Sequence, residues 1–261
     1  MSNFSFEVES GKTVKLATAG KYCDRDIVVT ATGGGDTEAA YQQGFDDGKQ
    51  YHSDMFWYLY QQDGKRTDYQ LAFCGVGWSN NLFKPKYDII PTGSLYMCFR
   101  KSTITNLVES FEKQGIIFDT SACSNMQYVF YQSKITHIGT IDCSSTTNAS
   151  TFTQCFAECS NLVTIDKIKL ATTSGTFSNM FASTPNLQNI TFEGEINRNG
   201  LDFHWSTKLT HDSLMSIVNA LADYSGDTSG TSWAITLGAD NLAKLTDAEK
   251  AIATEKGWTL A

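Results

Sequence analysis

The 261-residue chain is predicted to be an α/β protein built as a short solenoid. About four repeats are followed by divergent C-terminal β/α units, and a small N-terminal β module with a linking helix comes first. Three observations predict this. Phe99, Phe130, Phe156 and Phe181 are each followed by two branched aliphatics at nearly fixed distance: Ile104/Leu107, Ile135/Ile138, Leu162/Ile165 and Leu187/Ile190. Residues 4–31 alternate apolar and polar side chains and end at Gly33-Gly34-Gly35. After residue 201 the pattern runs helix, strand, helix, strand.

The anchors stand 31, 26 and 25 residues apart; the first aliphatic follows by 5, 5, 6 and 6 residues and the second by 3 more. Self-similarity at such a period marks stacked units, each too small to bury its own apolar face. Stacks of this kind present surfaces, so recognition is the first functional expectation and catalysis the weaker one.

In chain order, residues 1–35 form an attachment module. Phe4, Phe6 and Val8 alternate, as do Val14 and Leu16; Ile27-Val28-Val29 closes the set, with turns at Gly11-Lys12 and Ala19-Gly20-Lys21. The glycine triplet is a hinge. Residues 36–62 are an amphipathic helix capped by Asp36 or Thr37, with Tyr41, Phe45, Gly48, Tyr51, Met55 and Leu59 on one face. Ala40, Gly44 and Gly48 add a ridge of small residues. Tyr41, Gly44, Phe45, Gly48 and Tyr51 are therefore candidate oligomerisation residues, against the alternative that the helix simply covers its own chain's core. A homotrimer is the expected assembly.

Residues 63–93 are aromatic and irregular, with Gly75-Val76-Gly77-Trp78 and Phe83-Lys84-Pro85-Lys86-Tyr87-Asp88. They read as the N-terminal cap of the stack, with a sugar-stacking platform as the other reading. The repeats occupy 94–200 and capping units 201–261. Within the latter, Thr210 caps a helix carrying Leu214, Ile217, Val218 and Leu221. Trp233 to Leu237 alternate as a strand, Thr246-Asp247-Ala248-Glu249 is a capping box, and Trp258-Thr259-Leu260 is a last strand after Gly257.

Formal net charge is −8 and charged residues are only 18% of the chain, a polar, weakly charged skin suited to an extracellular or virion surface. The acids concentrate in residues 36–70 (7 acids, 3 bases) and 201–261 (8 acids, 4 bases), while 91–200 is balanced at 8 and 7. Without a Lys/Arg cluster, neither nucleic acid nor an anionic membrane is an expected partner. Met1 to Gly11 has no cationic start and no apolar stretch, so a route outside the cell other than a cleaved leader is expected, such as release by lysis. No segment approaches a membrane span.

Seven cysteines (23, 74, 98, 123, 143, 155 and 159) give no even disulfide framework and no Cys-x-x-Cys pair. They are expected to be buried, reduced packing residues made in a reducing compartment. No metal, no cofactor and no catalytic residue is assigned: nucleophile elbow, His-Glu-x-x-His, phosphate loop and dinucleotide fingerprint are all missing. Asp46-Asp47-Gly48 lacks the alternating oxygen ligands of a calcium loop. His204, beside Trp205, is expected to pack partly buried, with an aromatic-shelf residue as the other reading, and His211 to face solvent.

The repeat Cys155-Phe156-Ala157-Glu158-Cys159-Ser160-Asn161-Leu162-Val163-Thr164-Ile165 resembles the bacterial surface-antigen class of leucine-rich repeat (BspA-like). The match is good at this unit, fair at the next, where Thr184-Pro185 intrudes, and weaker at the first two, which lack the cysteine. The wider layout resembles tail-region proteins of phages and prophages of gut bacteria. The matching stretches are 16–29, Phe83 to Ile90, and Asn241 to Leu260. The resemblance implies a virion-associated structural or adhesive role and a leucine-rich-repeat-like solenoid. It transfers no catalytic residues. It also implies synthesis in the bacterial host cytoplasm, other tail or baseplate proteins as partners of the N-terminal module, and a host-surface glycan or protein as ligand. A purely structural tail component is the alternative, and a polysaccharide-degrading tail enzyme a more distant one.

The repeats nominate a binding surface. Where the aliphatic pairs point inward, the residues between them point out, stacking Asn106, His137, Thr164 and Asn189 into one polar row. Thr105, Thr136, Val163 and Gln188 lie beside it. Thr136 and Gln188 join the four as candidate binding residues, and an ordinary solvated face is the alternative.

Overall fold

The computed structural model describes residues 3–8, 12–19, 26–32, 69–70, 72–75, 88–144, 152–170 and 177–261, the first three stretches as backbone only. Strands β1 (Asn3–Val8), β2 (Lys12–Ala19) and β3 (Asp26–Thr32) pair antiparallel in the order β1-β2-β3, with Phe6 opposite Val14 and Leu16 opposite Val29. The glycine hinge and the helix expected over 36–62 lie outside the described residues.

From Tyr69 onward the chain winds in coils around one column of rings. Phe73, Phe99, Phe130, Phe156, Phe181 and Phe203 stack in succession, with centroids 4.7–5.6 Å apart and planes 4–26° from parallel. All six are buried. The column thus has six rungs, two more than the four anchors counted from the sequence. Around it, the five coils from Phe73 to Phe181 repeat a burial pattern. Four residues before the ring sits a large apolar side chain (Tyr69, Leu95, Met126, Phe152, Phe177), and one residue before it a smaller one (Ala72, Cys98, Val129, Cys155, Met180).

The backbone that presents each ring is unusual. Two residues before and two after Phe99, Phe130, Phe156 and Phe181, φ is left-handed, between 51° and 58°: Met97/Lys101, Tyr128/Gln132, Gln154/Glu158 and Asn179/Ser183. Only in the Phe73 coil is the following position a glycine, Gly75. The alternation turns successive N–H groups in two directions. Cys98, Arg100 and Ser102 donate within their own coil, to the carbonyls of Leu95, Met97 and Phe99. Met97, Phe99 and Lys101 donate across to Gln127, Val129 and Tyr131 of the next coil, at 2.8–3.1 Å. Phe130 then donates to Cys155 and Phe156 to Met180. Left-handed backbone costs an L-residue about 1 kcal/mol or more. The cost is offset by the partners that these N–H groups find within and between coils.

Three residues past each of the five rings from Phe99 to Phe203 a small polar side chain is buried: Ser102, Ser133, Cys159, Thr184 and Ser206. The Cys159 thiol donates to the Phe130 carbonyl at 2.8 Å, and the Thr184 hydroxyl meets that of Ser206 at 2.8 Å. Serine thus occupies, in the first two repeats, the place cysteine takes in the third. The chain then turns into a parallel sheet of β4 (His137–Asp142), β5 (Thr164–Lys169) and β6 (Asn189–Glu193), with Ile138, Ile165 and Ile190 in register and buried. The first repeat instead makes a short helix α1 (Leu107–Ser110) and a 3-10 turn (Glu112–Gln114), and these absorb its extra length without disturbing the ring column.

Helix α2 (His211–Ala220), capped by Thr210, closes the edge of β6. Its Ser213 and Ser216 hydroxyls accept the N–H groups of Ile190 and Phe192 at 2.9 and 2.8 Å, taking the place of a further strand. Beyond it, β7 (Trp233–Ile235) pairs parallel with β8 (Trp258–Leu260), flanked by α3 (Ala239–Leu242) and α4 (Asp247–Glu255). Tyr224 stacks on Trp233 at 3.9 Å, and buried Trp258 donates its indole N–H to Ala222 O.

Cys98, Cys123, Cys143, Cys155 and Cys159 are free and buried. Cys74 is disulfide-bonded, which corrects the expectation that every cysteine is reduced: an odd total leaves room for one bridge beside a set of packing thiols. Among the described residues no helix is long and apolar enough to cross a membrane.

Candidate functional site

The strand face comes first. Asn106 bridges to His137, His137 pairs with Thr164 and Thr164 with Asn189, so these four side chains lie in one row over four consecutive coils. The row beside it is held by the backbone: Thr136 N–H donates to Thr105 O, Val163 N–H to Thr136 O and Gln188 N–H to Val163 O, at 2.6–2.9 Å. Sequence reasoning therefore brought together residues that are neighbours in space.

What the row offers a ligand is narrower than its composition suggests, because most of its polar atoms have partners within the chain. The Asn106 carboxamide oxygen accepts the Glu109 N–H and so caps α1. The Thr136 hydroxyl donates to Thr105 O at 2.6 Å. Asn189 reaches the Thr164 hydroxyl at 3.4 Å, and His137 Nε2 meets Asp166 at 2.9 Å. Further along the sheet, Lys167 pairs with Glu193 at 2.7 Å and Lys169 with Asp142 at 3.7 Å. The Lys167 pKa is raised by its bond to the Glu193 carboxylate. The result is a self-paired surface of alternating charge.

The candidate oligomerisation residues Tyr41, Gly44, Phe45, Gly48 and Tyr51 lie outside the described residues. No group of three or more His, Cys, Asp or Glu that could hold a metal occurs among the described residues.

A second surface was not singled out by the sequence. It is the turn face, made by the side chains flanking each ring of the column. At its N-terminal end Tyr96, Tyr128 and Tyr131 meet edge to face, at 6.0 and 5.6 Å, and the Arg100 guanidinium lies 5.6 Å from the Tyr131 ring centre. Tyr131 donates its hydroxyl to Glu158 at 2.7 Å, and Gln132 donates to the other oxygen of that carboxylate at 2.7 Å. These two bonds, Gln132 first, hold the Glu158 pKa below the usual carboxylate range, and the bond to Glu158 raises that of Tyr131. At the C-terminal end of the same face, Trp205 is 50% exposed and its ring centre lies 4.5 Å from that of His204. Asp202 accepts from His204 twice, through the backbone N–H at 3.0 Å and at Nδ1 at 2.6 Å. His204 is thus an exposed residue, correcting the packing role expected for it: one residue past a ring of the column, its side chain leaves the core.

Compared with known protein families, curated proteins and solved structures, the chain matches none.

Proposed function

We propose that this chain is a non-enzymatic, tail-associated protein of a bacteriophage virion. In this reading the stacked coils are a short leucine-rich-repeat-like solenoid that displays a surface to the host cell, where a glycan or a protein is bound. The N-terminal module mounts the chain on other tail or baseplate proteins, in a homotrimer. The resemblance of the sequence to tail-region proteins supports the setting. The observation that carries the display role is the alignment of equivalent side chains over consecutive coils, which makes an extended surface rather than a cleft.

The test is to incubate the full chain, fluorescently labelled, with candidate host cells and with their purified cell-wall glycans. Saturable binding to one of them is expected; failure to bind any of them overturns the adhesive role.

A second reading is a purely structural tail component. The internal pairing of the strand face favours it, since Asn106, Thr136, His137 and Asn189 all have partners within the chain. Hydrogen exchange of the assembled tail separates the two, because the structural reading expects β4–β6 to be covered by a neighbouring subunit.

A further inference from the structure

The geometry points to the turn face, rather than the strand face, as a binding site for a neutral oligosaccharide laid along the stack from Tyr131 to Trp205. The inference rests on the host-binding reading above and names where the ligand sits and what it is.

The argument begins with register. Phe130, Phe156, Phe181 and Phe203 are adjacent rungs, and the buried Thr184 and Ser206 three residues past the last two rings touch each other. Gln132 N–H donates to Ala157 O and Glu158 N–H to Ala182 O. The residues one past each ring therefore line up as Tyr131, Ala157, Ala182 and His204, and those two past it as Gln132, Glu158, Ser183 and Trp205. Aromatic side chains stand at both ends, and the two middle coils carry only alanine in the first row. Ala157 is fully buried beneath its neighbours, so the surface between the two aromatic ends is presented by the exposed Glu158 and Ser183. The stretch so framed is three coil steps long, each step 4.7–5.6 Å.

The chemistry of its lining selects the ligand. Half-exposed Trp205 offers an indole face, and Tyr131 is held in place by its bond to Glu158 and by Arg100. Flat apolar faces with a few placed polar groups suit the C–H face of a sugar ring. Between them the exposed Ser183 hydroxyl supplies a hydrogen-bonding group, and the exposed Glu158 carboxylate, which already accepts from Tyr131 and Gln132, keeps lone pairs for a further donor. His204, exposed and engaged at Nδ1 by Asp202, adds a second ring nitrogen, Nε2, that can bond a sugar hydroxyl. The exposed Glu158 carboxylate between the aromatic ends and the net charge of −8 oppose a polyanion. A neutral glycan fits; a nucleic acid or a sulfated polymer does not.

The experiment titrates the full chain with neutral oligomers of N-acetylglucosamine, glucose, galactose and mannose, from one to six units, following tryptophan fluorescence and heat. One series is expected to bind with affinity that rises with length and then levels once the stretch from Tyr131 to Trp205 is spanned. Trp205→Ala and Tyr131→Ala, each checked for an unchanged fold by circular dichroism, are expected to weaken it about tenfold. His137→Ala and Asn189→Ala on the strand face are expected to leave it unchanged. Loss with the strand-face variants instead overturns the turn-face site while keeping host-glycan binding. Retained binding to whole host cells, with none to any oligomer, overturns the glycan and points to a host protein. Binding to neither overturns the host-binding reading as well.

Discussion

Phe99 and Phe130 stack with ring centres 5.5 Å apart and planes 4° from parallel, although 31 residues separate them. Phe130 and Phe156 do the same at 5.6 Å and 6° across 26 residues. The rise per coil is set by ring stacking and by the cross-coil backbone bonds, so chain length between rings is free to vary. Extra residues loop out as α1 and its 3-10 turn. Phe130 lies between two stacked neighbours. Phe130→Ala should therefore lower stability by about 3–5 kcal/mol, measured by urea denaturation, while a variant at exposed Ile117 should change little.

Lys101 adopts φ 56° in the place where the first described coil has Gly75. Lys101→Gly relieves left-handed strain at the expense of extra freedom in the unfolded chain, and a modest gain of roughly 0.5 kcal/mol is expected. Lys101→Val, which is β-branched, should destabilise by more than that. Thermal melts of the pair check the sign.

Ser102 is fully buried and its hydroxyl has no hydrogen-bond partner, whereas Thr184 and Ser206 at the equivalent position satisfy each other. Ser102→Ala should be neutral or stabilise by about 1 kcal/mol. Thr184→Ala should cost about 1–3 kcal/mol, because it leaves Ser206 without that partner. Equal effects at both sites would contradict this assignment.

Burial pushes the Cys159 thiol up to about 12, and raises Cys143 and Cys155 well above the ordinary range. Since the thiolate is the reactive form, iodoacetamide at pH 8 should leave all three unmodified in the native protein. It should label them once guanidinium unfolds it. Mass spectrometry of the peptides reads the difference.

Glu249 closes the capping box of α4: it accepts from the backbone N–H of Thr246 and its hydroxyl, and from His211. These bonds, the backbone one first, hold its pKa below the usual value. A depressed carboxylate contributes stability above its unfolded pKa, about 4.3, and loses that contribution as pH falls through the folded value. Glu249→Gln should therefore lower the melting temperature at pH 7, and the difference from wild type should shrink toward pH 3. A gap that stays constant across this range would remove the carboxylate from the account.

Local signals were the ones legible in the chain. Thr210 and Thr246 mark helix starts because a hydroxyl reaches an N–H only three residues away. The strand row Asn106, His137, Thr164 and Asn189 was legible because side chains alternate in a strand, so equal offsets from the aliphatics give equal direction. Phe73 and Phe203 went uncounted because neither is followed by the aliphatic pair: Trp78 and Ser79 stand after the one, and after the other Leu209 takes the first place at step 6 but Asp212 the second. The left-handed positions were invisible, since Met, Lys, Tyr, Gln, Glu, Asn and Ser occupy them without preference.

The sequence by itself determined the period, the inward-facing aliphatics and the caps, because burial period and capping depend on residues close together in the chain. The tertiary structure alone decided which polar groups are left over. The Thr136 hydroxyl is taken by Thr105 O of the preceding coil, and Tyr131 is aligned with Ala157, Ala182 and His204 by rings and hydrogen bonds that join residues 22–26 positions apart. A side chain's type says what it can bond; only its neighbours in the next coil decide whether that bond is already made.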